Sequence, residues 1–163
     1  YLIQPGLKIG TDLTLKNWQS TREKGDNSFI LDKKLLISPQ VGFFVRSGNN
    51  TNYFVNTEIG FKRHKISRKS YLAFWAGLGY QFQIEVLSFT VDLSTGETVA
   101  WEKENRHYFL SALSGEYGGH ISPKIGWFSK YTIGIRTVGD IGTATLLAFE
   151  LGAKIFLSKK ENQ

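Results

Sequence analysis

T-L-L-A-F-E-L-G-A-K-I-F-L, residues 145–157, reads as a strand with two unlike faces. Side chains alternate across an extended chain, so Thr145, Leu147, Phe149, Leu151, Ala153, Ile155 and Leu157 share one face. The other face includes Glu150, Gly152 and Lys154. The first face suits lipid; the charges opposite it need water or ion-pair partners. Apolar outside and polar inside, repeated every second residue, is the pattern of a transmembrane β-barrel strand.

The same alternation recurs upstream. Residues 6–18 set Leu7, Ile9, Leu13 and Leu15 against Lys8, Asp12 and Lys16. A polar, charged segment, 19–28, follows. Residues 34–46 set Leu35, Ile37, Val41, Phe43 and Val45 against Ser38, Gln40, Gly42 and Arg46. Residues 47–52 (S-G-N-N-T-N) carry turn chemistry. Residues 53–64 oppose Val55, Ile59 and Phe61 to Asn56, Glu58, Gly60 and Lys62. A fourth strand starts at Tyr71 and runs towards Asp92, longer than the roughly 9–11 residues that span a bilayer. With residues 98–107, across L-S-T-G-E, it forms a hairpin standing clear of the membrane. The fifth strand continues to about residue 118, the sixth covers 125–136, and V-G-D-I-G (138–142) turns into the seventh.

Seven strands are read directly. Closed single-chain bacterial barrels have an even number, so about eight are expected, the extra one in 28–32, in the N-terminal tail or in 119–124. The expectation is one domain, residues 1–163: an all-β, small antiparallel up-and-down transmembrane β-barrel.

Composition agrees. Hydrophobic residues make up 41% of the 163, and mean hydropathy is −0.21. A barrel dilutes its lipid-facing half in this way. No apolar run approaches the ~18 residues of a transmembrane helix. Glycine (17) and aromatic residues (14%) are abundant and proline scarce (3), as in all-β chains. Without cysteine there is neither a disulfide framework nor a thiolate metal site. The three histidines, 64, 107 and 120, lack ligand spacing, and no glycine loop cradles a phosphate. No metal or cofactor is expected. The chain opens at Tyr1 with neither Met nor a basic-then-apolar leader, so a mature form with its signal peptide removed is expected. The net charge of +6 and pI near 9.5 suit an anionic membrane surface; no nucleic-acid module is present.

The inward face collects Lys8, Asp12, Lys16, Gln40, Arg46, Glu58, Lys62, Gln81, Gln83, Glu116, Lys130, Arg136, Glu150 and Lys154. Buried charges must pair. The expected lumen is therefore a filled charge network built on Asp12, Glu58, Glu116, Lys130, Arg136, Glu150 and Lys154. A porin-like polar cavity passing a small solute is the alternative. Trp18, Phe29, Tyr53, Tyr71, Trp101, Tyr108, Trp127 and Phe128 lie near strand ends, as interfacial girdles do. The densest charge run, Lys62, Arg63, His64, Lys65, Arg68 and Lys69, reads either as a solvated basic turn or as an edge that meets lipid phosphates.

His120 and Ser122 stand at i and i+2, with Glu116 four residues earlier: the parts of a hydrolase triad. H-x-S resembles the His-Ser pair of the outer-membrane lipid A deacylases, eight-stranded barrels. That resemblance implies a lipid hydrolase acting through His120 and Ser122. The chain departs from that family in having Pro123 after the serine, where the family has Asn, and no downstream carboxylate before Asp140. W-A-G-L-G-Y (75–80) and F-E-L-G-A-K-I-F-L (149–157) resemble strand endings of uncharacterised small outer-membrane β-barrel proteins of Gram-negative bacteria. This wider resemblance implies a bacterial outer-membrane location, with outer-membrane lipid and other envelope proteins as partners and a structural, accessory or interaction role. A soluble lipocalin-like barrel binding a small apolar ligand is the third expectation.

Overall fold

A computed structural model describes residues 6–24, 27–46, 50–86, 90–91, 95, 98–99, 103–122, 124–138 and 142–155. The described residues form β-strands and their connections: β1 (Gly6–Gly10), β2 (Leu13–Lys24), β3 (Asn27–Arg46), β4 (Asn50–Lys65), β5 (Ser70–Val86), β6 (Thr90–Val91), β7 (Thr98–Val99), β8 (Lys103–His120), β9 (Ile125–Val138) and β10 (Gly142–Ile155). Eight of these make one antiparallel sheet, ordered β1-β3-β4-β5-β8-β9-β10, with β2 also paired to β3. β6 and β7 pair separately, continuing the β5–β8 hairpin past the sheet.

The eight strands occupy seven positions. Gly6–Gly10 faces Phe44–Gln40 of β3, and Leu13–Lys24 faces Ile37–Asn27, so β1 and β2 run in tandem along one edge of β3. The single first strand expected over 6–18 is thus interrupted at Thr11 and Asp12. It also runs further: 19–24, expected within the polar segment 19–28, pair with 27–32, which contain one of the places named for an extra strand, as a hairpin that lengthens the first two strands rather than adding a position. The alternation on both arms, Trp18 opposite Lys33 and Arg22 opposite Phe29, sustains the ladder.

The sheet curls into a half-barrel whose concave face is polar and whose convex face is apolar. Ladder registers stack Gln40, Asn56, Gly79, Leu110 and Arg136 in one concave row, and Lys34, Lys62, Ala73, Glu116, Lys130 and Glu150 in another. Small residues make room for large ones. A Cβ on Gly60 would collide with the Trp75 ring, and one on Gly77 would lie 2.8 Å from Glu58 Cγ. Gly142 opens β10 at φ +113°, a conformation that a Cβ would strain.

Two expectations about faces are corrected. Lys16 is convex rather than concave. A β-bulge between Thr14 and Lys16 inserts Leu15 and shifts the register by one, so Lys16 pairs with Leu35 on the apolar side. Tyr71, Tyr108 and Phe128 are not in an outer girdle. Each shares parity with the concave charges, and Tyr71 and Tyr108 are buried. Trp18, Tyr53 and Trp127 do face outward, with rings against Phe61, Phe43 and Tyr117. The Arg46 side chain and Trp101 lie outside the described residues.

Candidate functional site

On the concave face, one hydrogen-bonded chain of side chains links every strand position. Lys130 of β9 pairs with Glu58 of β4, reaching past β8 and β5. Gln40 on β3 donates to Glu58 Oε2 (2.7 Å) and to Ser38 Oγ (3.1 Å). Ser38 donates to Asp12 Oδ1 (2.9 Å), in the break between β1 and β2. Lys154 of β10 donates to Asp12 Oδ2 (2.9 Å) and to Glu116 Oε1 of β8 (2.6 Å). Tyr71 of β5 completes the chain, its hydroxyl donating to Glu116 Oε1 (2.7 Å). A separate pair, Lys8 with Glu150, joins β1 to β10.

Burial makes these contacts consequential. Glu58, Glu116 and Lys130 are 2–3% exposed, and the largest fully buried side chains among the described residues are Lys130, Gln81 and Asn52. An ion so placed is tolerable only when paired and hydrogen-bonded. Aromatic faces add to the solvation of the cations. Lys154 Nζ lies 5.1 Å from the Phe128 ring centre, 5.5 Å from Trp75 and 5.7 Å from Tyr71. Lys62 stands 3.5 Å over Tyr71, and Arg136 lies 5.2 Å from Tyr108.

Of the residues expected in the charge network, Asp12, Glu58, Glu116, Lys130 and Lys154 come together in the chain. Glu150 joins Lys8 instead, and Arg136 sits apart above Tyr108. Ser38 and Tyr71 are network members that the charge pattern passes over. Ser38 shares parity with Gln40, and counting hydroxyls on the charged face finds it.

The hydrolase constellation does not assemble as a triad. The Glu116 carboxylate is committed to Tyr71 and Lys154. Ser122 Oγ accepts the backbone N–H groups of Lys124 (3.3 Å) and Ile125 (3.1 Å), bracing the turn into β9. The His120 ring lies beside that of His64, 6.4 Å between centres. Among the described residues no cluster of His, Asp and Glu suits a metal ion.

The convex face is apolar. Leu78 (72% exposed), Phe109 (71%), Leu151 (73%) and Ile155 (76%) stand in a field of exposed Leu, Ile, Val, Phe and Tyr running across all seven positions.

No protein-family model, curated protein or solved structure matches this chain. What the site does therefore rests on its own geometry.

The basic run divides between faces. Lys62 and His64 point into the concavity; Arg63 and Lys65 point out from the end of β4; Arg68 and Lys69 are exposed in the turn 66–69. Arg22, at the far end of β2, joins the outward group in space although forty residues earlier in the chain.

Proposed function

We propose that this chain is a small bacterial outer-membrane β-barrel with a structural, accessory or interaction role, its lumen filled by paired charges. The observation that carries the reading is the inverted distribution of polarity. Soluble monomers rarely expose contiguous apolar patches beyond a few hundred Å². Here bulky apolar side chains cover the convex face while lysine, glutamate and glutamine are buried beneath it. A bilayer reverses the usual preference in this way, and unpaired sheet edges are so costly in lipid that the half-barrel closes there. The same distribution speaks against a lipocalin-like carrier, which needs an apolar interior. The commitments of Glu116 and Ser122 speak against the lipid hydrolase.

The test is fractionation followed by electrophoresis. The protein should partition with outer membrane, require detergent to stay dispersed, and migrate differently before and after boiling. A monodisperse protein in plain buffer would remove the membrane reading.

A further inference from the structure

We propose that the groove at the β2–β3–β4 end of the convex face is a binding site for an anionic phospholipid. The proposal rests on the membrane reading and goes further, naming a lipid class and the residues that select it.

The hairpin of β2 and β3 projects past the end of β4, and Ile66 N donates to Ile30 O (3.1 Å), anchoring the turn 66–69 against it. Between the two lies a groove of about 270 Å³. Its cations are Arg22, Arg63, Lys65 and Arg68. No carboxylate lines it, and among the described residues none of these four forms an ion pair. Lys65 Nζ instead lies 4.4 Å over the Phe29 ring. Cations gathered without anions complement a phosphate, and the planar guanidinium groups match its oxygens two at a time.

The floor is of the other chemistry. Leu31 is only 7% exposed although it sits on the convex face. Ladder pairing runs from Arg63 to Leu72 and on to Tyr117, whose ring packs edge-on against Trp127 at 5.6 Å. Cationic heads thus stand at the margin of the apolar field, and the groove floor continues into it. A free phosphate uses only the first half of this arrangement. A phospholipid uses both: headgroup on the arginines, acyl chains along Leu72 and Tyr117.

The test puts the protein into phosphatidylcholine nanodiscs carrying a minority of phosphatidylglycerol. Lipid retained after gentle release is then counted by native mass spectrometry. Retained lipid should be enriched in phosphatidylglycerol. Arg63→Gln and Arg68→Gln should each reduce that enrichment about tenfold, the scale of a charge-assisted contact. Arg63→Lys should fall between, and Lys124→Gln, at the same end but outside the groove, should leave it unchanged. Equal retention of both lipids, or equal loss in Lys124→Gln, overturns the site. Full displacement by inorganic phosphate or glycerol phosphate overturns the lipid assignment in favour of a soluble anion. A protein that enters nanodiscs without lipid preference sinks this proposal alone; one that stays out sinks the membrane reading with it.

Discussion

At the residue scale, the difference between two glutamates on the same face is instructive. Glu58 and Glu150 have the same parity and similar sequence surroundings, yet the first is 3% exposed and holds a fully buried lysine. The side chains of Glu150 and its partner Lys8 are 28% and 20% exposed, so water already screens the pair. Glu58→Leu should therefore cost about 3–5 kcal/mol, because the buried Lys130 loses the carboxylate it is paired with. Glu150→Leu should cost about 1 kcal/mol or less. In the double variant Glu58→Leu/Lys130→Met most of the loss should return, since a buried pair replaced by apolar groups leaves no orphan charge. Urea titration of the protein refolded into vesicles measures all three. A Glu150→Leu variant as damaged as Glu58→Leu would mean that the two pairs share one environment.

At the element scale, alternation was legible wherever a strand keeps a strict two-residue period. β4 follows its expected faces from end to end, β9 does so except at Phe128, and β10 does so over its described residues 145–155; the five residues of the connected network expected from sequence have the parity they needed. Legibility failed at three kinds of place. A bulge such as that at Leu15 leaves no mark in a pattern of residue types, and it turned Lys16 over. Aromatic residues suit both faces: Tyr71 has a ring for the cations and a hydroxyl for Glu116, so parity had to decide what residue type could not. Which inward charges meet was also hidden, because Lys130 and Glu58 are 72 residues apart and meet only across the curl. β10 supplies the prediction at this scale. Leu151 is 73% exposed and its neighbour across the ladder is Ser129. On the membrane reading Leu151→Lys near the midplane should cost about 2–4 kcal/mol in bilayers. The same change in a soluble sheet would be nearly neutral. Comparing unfolding midpoints of parent and variant in vesicles separates the two environments.

At the scale of the whole molecule, the number of strand positions sets the geometry of the edges. A meander with seven positions begins and ends with strands running the same way, so β1–β2 and β10 are parallel. Direct closure is then a parallel seam; closure through one further antiparallel strand is the other solution. Among the described residues no backbone ladder joins the two edges, but two side-chain bridges do: Lys8 with Glu150, and Asp12 with Lys154. Both pair the first edge with the last, and both face the concavity; the first is partly screened by water, the second, through Lys154, less so. Among the described residues these are the ion pairs that join the two edges of the curl. Charge reversal at one edge should accordingly loosen the curl, and reversal at both should restore it. Glu150→Lys sets two lysines against each other and should lower the temperature at which the folded band is lost on semi-native gels. Lys8→Glu sets two glutamates against each other and should do the same. In Lys8→Glu/Glu150→Lys the pair is rebuilt with its polarity exchanged, so most of the lost stability should return, a coupling visible only between residues in contact. Independent, additive losses in the double variant would show that the two edges do not meet through this pair in the folded protein, and would favour an added strand between them.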